Sequence, residues 1–281
     1  MKRDKLIKVY DQVIEDIKNG GYYCNGEFIE FDSHDIKSGT VMYKNLGIIP
    51  KSRRQYFNNP KIYVKNIDSF LAAIELGPGS AVLNMASSIR PGGGVANGSM
   101  AQEEELCRRS DLLYSLYSFT DKGEIFDFIQ ESSKYPIPKY GGIYSPRITI
   151  YREPGTYKSM YEPKKCSVIS VAGIVRPYIF PETGEMSEGN AGILRGKIRT
   201  ILRIAILHGH TSLVLGALGC GAFRNPPKQV AKLFKEVLSE EEFSHSFSEI
   251  CFAILEDINS IRLDNPDGNF KPFVDIFGEK K

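Results

Sequence analysis

The sequence predicts an α/β fold built on a largely parallel sheet. Three observations lead there. In the second half of the chain, short apolar runs with strand patterning alternate with stretches of helical periodicity. Two glycine-rich loops each follow a buried-strand pattern and precede a helix. The 281 residues are 42% hydrophobic and 11% aromatic, enough for a sizeable core and too apolar for a disordered chain.

The elements follow in chain order. Leu6, Val9/Tyr10, Val13/Ile14 and Ile17 recur at helical spacing, and Gly20-Gly21 stops that helix. Residues 22–80 read as short strands and loops that end in a helix over about 66–74. Gly77-Pro78-Gly79 turns into 81–86, a buried-strand pattern. A Pro/Gly-rich loop leads to one helix over 102–117. Residues 120–165 are rich in Tyr and Pro, with a strand candidate at 147–151. Val/Ile content marks a strand over 165–174. After the polar loop 181–188 come a long helix (190–208), a strand (213–218), a glycine loop, a helix (227–238) and a last strand (248–255). No repeat or linker divides the chain, so a single domain over 1–281 is expected, with 1–75 as an N-terminal helical extension.

Charge and cysteine usage narrow the function classes. Lys plus Arg number 36 against 34 Asp plus Glu, a formal net charge of +2. That balance speaks against broad, sequence-independent binding to nucleic acid, which needs a clustered basic surface. The basic runs Lys51-Ser52-Arg53-Arg54 and Lys164-Lys165 are short and read as solvated faces. The five cysteines at 24, 107, 166, 220 and 251 form no Cys-x-x-Cys, which favours free thiols in a reducing, cytoplasmic setting. The charged N-terminus lacks an apolar signal core, and the longest uncharged apolar run, 211–223, is too short to span a bilayer, so no membrane partner is expected.

Two glycine loops carry the chemical signal. One is Arg90-Pro91-Gly92-Gly93-Gly94-Val95-Ala96-Asn97-Gly98. The other runs Gly216-Ala217-Leu218-Gly219-Cys220-Gly221-Ala222-Phe223-Arg224-Asn225-Pro226-Pro227. Glycines after a strand let the backbone approach a ligand, and the next helix offers unpaired N–H groups to an anion. Two such loops suit a diphosphate or an extended nucleotide. Neither matches a P-loop or a full dinucleotide fingerprint. The first loop delivers the chain to Gln102-Glu103-Glu104-Glu105. Carboxylates at a helix start are favoured by the macrodipole alone, yet a carboxyl held beside a bound sugar also suits acid/base work on a glycosidic bond. Successive helical residues face different ways, so three glutamates cannot all serve one site.

Asn84-Met-Ala-Ser-Ser-Ile-Arg-Pro-Gly-Gly-Gly, seven residues, then Gln102-Glu103-Glu104 resembles the signature of microbial-type poly(ADP-ribose) glycohydrolases, a catalytic branch of the macrodomain fold. The resemblance continues through 106–114, 143–146 and the second glycine loop, and spans roughly residues 5–260. It implies a three-layer α/β/α macrodomain that binds ADP-ribose and poly(ADP-ribose), carried on modified proteins, and needs no cofactor. It further implies that Glu104 is the catalytic acid/base, with a raised pKa, and that Glu103 orients the ribose. Asn84, Gln102 and the Gly92, Gly93 and Gly94 loop would meet the distal ribose and its surroundings. Gly219, Cys220, Gly221 and Ala222 would wrap the diphosphate through backbone N–H groups, and Phe223 would pack on the distal ribose. Glu105 lengthens the run to three, which leaves the register open by one position; with Glu104 as acid/base, Glu105→Gln should be nearly silent. Two other readings remain at this stage: a macrodomain that reads ADP-ribose without cleaving it, and a hydrolase of single ADP-ribose units on protein or nucleic acid.

Other residues offer alternatives. His208 and His210 could be two metal ligands or a helix end and loop; without a third ligand nearby, no metal is expected. Cys220 could be a nucleophile or a small buried residue. Tyr135, Tyr140, Tyr144 and Tyr151 could include a ring that stacks on adenine or could all be packing, and Arg147 and Arg152 are candidate diphosphate contacts.

Overall fold

The computed structural model describes residues 3–45, 57–131, 133–256, 260–263 and 265–279. The basic run at 51–54 lies outside the described residues. The first helix, α1 (Arg3–Lys18), buries Leu6, Val13 and Ile17 as its spacing predicts, and a hairpin of β1 (Gly21–Cys24) and β2 (Glu27–Glu30) follows. The short helix α2 (His34–Gly39) precedes β3 (Val41–Tyr43). Then come β4 (Lys61–Lys65), α3 (Ser69–Leu76) and β5 (Ala81–Met85). Asp68 caps α3, its carboxylate accepting from the Phe70 and Leu71 N–H groups.

The helix expected over 102–117 is two: α4 (Gln102–Arg109) and α5 (Leu112–Tyr117). The break at Ser110-Asp111 has a local cause. Ser110 is extended, its hydroxyl donates to the Leu106 carbonyl, and Asp111 accepts from the Thr149 N–H at 2.7 Å. Short polar side chains compete here with the helical ladder and win. Next are the long strands β6 (Gly142–Arg152) and β7 (Ser159–Val171), then the ribbon β8 (Ile179–Phe180) and β9 (Glu185–Met186). The chain continues as α6 (Glu188–Leu207), β10 (Ser212–Leu215), α7 (Pro227–Leu238), β11 (Glu249–Ala253) and α8 (Phe270–Phe277). The helices α2 and α8 and the ribbon β8–β9 have no counterpart in the sequence reading.

Seven strands form the main sheet in the order β3-β6-β7-β5-β10-β11-β4. From β7 to β4 the pairing is parallel, while β6 runs antiparallel to both its neighbours. Strand alternation divides the core in two. Val82, Val168 and Val214 point to the face covered by α1, α3, α4 and α5. Leu83, Ile169, Leu213 and Leu215 point to the face covered by α6, α7 and α8. The result is the expected α/β/α sandwich. The boundary expected at residue 75 is not a boundary in the sheet, because β3 and β4 are its two edges. Among the described residues no helix is long and apolar enough to cross a membrane.

A buried ion pair ties α1 to β6. Asp16 accepts from Arg152 at 2.6 Å and from the Tyr151 hydroxyl at 3.0 Å. Arg152 is thus a core brace rather than a diphosphate contact. Asp16→Ala leaves a buried guanidinium without its partner and should destabilise the fold by roughly 3–5 kcal/mol in urea unfolding. A loss under about 1 kcal/mol would show that solvent reaches this pair as it does a surface one.

Candidate functional site

Strands β7, β5 and β10 are parallel neighbours, so the segments after them leave the sheet at the same edge. Ligands of open α/β sheets settle at such an edge. The loop after β5 contains the triple glycine and ends at α4. Gly92 and Gly93 adopt φ of +73° and +60°, a left-handed backbone that glycine enters without strain. Gly93 also has no room for a side chain. A Cβ there would stand 2.5 Å from Glu104 Oε1 and 2.9 Å from Glu103 Oε2. The two carboxylates therefore converge on this glycine, although they leave the helix about 100° apart.

Both glutamates are almost entirely buried and held by backbone donors. Glu103 Oε2 accepts from Ser87 N–H at 2.7 Å, and Oε1 accepts from Gly92 N–H at 3.2 Å and from Asn84 Nδ2 at 3.4 Å. Glu104 Oε1 accepts from Gly94 N–H at 2.8 Å. Asn84 also donates to the Ser170 hydroxyl at 3.0 Å, and its Oδ1 is buried without a partner. Glu105 turns away. It accepts from the Tyr157 hydroxyl at 2.5 Å and from the buried Arg108 guanidinium at 3.0 Å. Glu105→Gln, expected to be nearly silent for turnover, would also leave the buried Arg108 guanidinium without its carboxylate and so carry a stability cost.

Gln102 is also reassigned. The resemblance puts it against substrate, but its Oε1 accepts from Met85 N–H at 2.9 Å and its Nε2 donates to the Leu83 carbonyl at 2.6 Å. Its amide is already occupied in bracing α4 against β5.

The loop after β10 forms the other wall. Gly219 adopts φ +77°, and a Cβ on it would meet the Asn225 amide at 2.7 Å. Asn225 Nδ2 donates to the carbonyls of Ile174 (2.6 Å) and Gly219 (3.0 Å), which stitches this loop to the segment after β7. Gly173 permits that approach, because a Cβ there would lie 2.9 Å from the Gly219 Cα. Gly221 and Ala222 are exposed and Phe223 is half-buried. Cys220 points inward, and burial pushes its thiol above the usual range, so it is a packing residue and not a nucleophile.

The remaining candidates lie elsewhere. His210 Nδ1 meets the Gly79 carbonyl at 2.7 Å and its Nε2 meets the Tyr144 hydroxyl at 2.8 Å. His208 stacks on Tyr144 at 3.5 Å between ring centres, and burial pushes it down to about 4. Arg147 pairs with Asp35 at 2.7 Å beside them. All of these sit at the amino ends of β5 and β10, the opposite edge of the sheet from the cleft. Among the described residues no group of three or more His, Cys, Asp or Glu could hold a metal. Tyr140 packs on α6, and Tyr151 lies in the core beside Asp16. Tyr135, its hydroxyl buried without a partner, belongs to a segment that reaches the first loop through Ile137 N–H and the Ser88 carbonyl, 2.7 Å apart. Sequence reasoning missed Ser87, Ser170, Asn225 and Tyr157. A serine inside the apolar run of β7 was a signal for Ser170; nothing local marked Tyr157.

The family model for the microbial-type PARG catalytic domain matches residues 11–153, just over half of the chain. The chain belongs to this family. Solved structures agree over nearly the whole length. The chain is similar to the poly(ADP-ribose) glycohydrolase of Thermomonospora curvata, with a TM-score of 0.81 and 27% identity over 98% of this chain and 100% of that one. The same enzyme bound to the inhibitor ADP-HPD gives a TM-score of 0.78 at 26% identity, over 97% of this chain and 99% of that one. The Deinococcus radiodurans enzyme in complex with ADP-ribose gives 0.67 at 28% identity, over 88% and 97%. No curated protein matches. Membership places the Gly92–Glu104 unit inside the matched segment, while the second glycine loop lies beyond it and rests on the structural likeness.

Burial pushes the Glu103 carboxyl up to about 8, helped by the charge of Glu104 and opposed by the donors Ser87, Asn84 and Gly92. An elevated carboxyl was expected at position 104; the structure puts one at 103. A raised folded-state pKa adds stability that is full below the unfolded pKa and is lost as pH rises through the folded one. Wild-type unfolding free energy should therefore fall between about pH 4.5 and 8, and Glu103→Gln should flatten that decline. Equal pH dependence in both proteins, measured by urea unfolding, would show that Glu103 ionises alike folded and unfolded.

Proposed function

We propose that this protein cleaves the ribose–ribose O-glycosidic bonds of poly(ADP-ribose) and releases ADP-ribose, with Glu104 as the acid/base. The observation that carries the reading is the convergence of Glu103 and Glu104 on the triple-glycine loop, each fixed by a backbone N–H of that loop. The named activity of the similar enzymes, and the ADP-ribose and ADP-HPD they hold, support it.

In this reading the distal ribose sits against Gly92–Gly94 with Phe223 on its other side. Glu104 protonates the leaving ribose oxygen as positive charge develops at the anomeric carbon, then takes a proton from the attacking water. Gly94 N–H holds the carboxyl through both steps. Glu103 and the free acceptor of Asn84 take hydrogen bonds from ribose hydroxyls and set the sugar's angle. The diphosphate lies on the exposed backbone of Gly221 and Ala222, close enough to favour the developing cation. The polymer is carried on modified proteins, and no direct contact with nucleic acid is needed, in keeping with the near-neutral net charge. Five buried cysteines, none of them in a disulfide, suit a reducing, cytoplasmic setting.

Glu104→Gln should lower polymer turnover by roughly 100- to 10,000-fold while ADP-ribose affinity, read by calorimetry, stays within about a few-fold. Normal turnover in that variant would move the chemistry to another group, and no heat with millimolar ADP-ribose would remove the substrate class itself. Glu105→Gln should instead lower stability by roughly 1.5–3 kcal/mol, through the loss of its Arg108 and Tyr157 contacts, and leave turnover of the folded protein near normal. A stability-neutral Glu105→Gln that abolished cleavage would shift the register by one.

A further inference from the structure

Two arginines at the mouth of the cleft adopt a backbone that favours glycine: Arg176 at φ +44° and Arg224 at φ +57°. Residues with a Cβ rarely enter this region, because the Cβ crowds the following carbonyl. Their loops are joined: Arg176 N–H donates to the Phe223 carbonyl at 2.8 Å, and Arg224 N–H to the Gly221 carbonyl at 3.0 Å. The two side chains therefore start from neighbouring points beside Phe223, and both residues are exposed. Arg176 has no ion-pair partner among the described residues. The same loop uses glycine at 219 and 221, and glycine would fill 176 and 224 without strain. A side chain such as that of Arg176, kept at a strained position on the rim of a site without an ion pair, calls for a role there, and Arg224 stands beside it.

The chemistry of the polymer supplies one. On the proposed function, on which this inference rests, Phe223 lies against the ribose whose bond is cut. The group leaving from that bond is the next ADP-ribose unit, which carries a diphosphate of its own. We infer that Arg176 and Arg224 clasp the diphosphate of the unit on the leaving side of the scissile bond, and so favour polymer over a single ADP-ribose. Guanidinium groups suit phosphate oxygens through paired, charge-assisted hydrogen bonds. A chain with a net charge of only +2 attracts a polyanion through a local cluster, not through its overall field. Exposed contacts of this kind weaken with salt.

The test is the double variant R176G/R224G, which removes both cations and keeps the left-handed backbone. Polymer kcat and KM would be measured over a range of salt, alongside ADP-ribose affinity by calorimetry and the melting temperature. The expected result is a rise of about tenfold or more in polymer KM, weaker salt dependence and ADP-ribose affinity within about twofold, in a protein that still melts cooperatively. R176K/R224K should recover part of the KM, because it restores the charge without the planar fork. Unchanged polymer KM, or an equal loss of ADP-ribose affinity, overturns the inference while the proposed function stands. A wild-type protein that neither binds ADP-ribose nor cleaves polymer overturns the parent reading and this one together.

Discussion

Four backbone N–H groups of the segment leaving β5, those of Met85, Ser87, Gly92 and Gly94, end on the side chains of Gln102, Glu103 and Glu104. A loop with this many peptide groups withdrawn from the sheet must satisfy them from somewhere, since an unpaired buried donor costs roughly 1–3 kcal/mol. The first turn of α4 satisfies them with two carboxylates and an amide. Acids are at home at a helix start, where the macrodipole favours them, but these reach beyond their own helix to another segment. The loop cannot keep its shape without the helix, and the buried carboxyls of the helix start find their hydrogen-bond donors in the loop. Site and fold are one set of hydrogen bonds in this part of the molecule.

The second wall is built by the same logic with different chemistry. Asn225 gathers the Ile174, Gly219 and Phe223 carbonyls onto one amide nitrogen, and Gly173 lets two backbones approach to within van der Waals contact. A neutral amide stitches carbonyls, whereas carboxylates stitch N–H groups. The first wall thereby retains negative charge at the sugar end, and the second leaves the exposed peptides of Gly221 and Ala222 for an anion. The division suits a ligand with a sugar to be protonated at one end and a diphosphate at the other.

Much of this was legible before any coordinates. Buried-strand apolar runs placed β5, β10 and β11 within a few residues, and the two glycine loops follow strands at the same edge of the sheet. Resemblance then named the two glutamates, whose convergence no helical spacing would suggest, because the bend that unites them belongs to the loop. Where the reading failed, long-range partners were responsible. The single helix over 102–117 breaks because Asp111 answers to Thr149, thirty-eight residues away. Glu105 looked like a spare acid until Tyr157 and Arg108 met it. Arg147 and Arg152 looked like phosphate ligands until Asp35 and Asp16 took them. The edge strand β3 is only three residues long, and β4 (Lys61–Lys65) has a lysine at each end, so neither offers the apolar run that marked β5 and β10.

Those arginines also change how the charge balance should be read. Arg108 and Arg109 are wholly buried and Arg152 nearly so, each neutralised by a carboxylate from Glu105, Asp68 or Asp16. Such pairs cancel in the net charge and contribute almost nothing to the field outside. A formal +2 therefore describes neither the core, which is laced with paired ions, nor the surface, where the sign varies from loop to loop. What a charged ligand meets is set by local groups such as the exposed Arg176, and not by the overall balance. A near-neutral composition is thus compatible with a site that takes an anionic ligand, because the field at a cleft is set by the groups that line it and not by the sum over the chain.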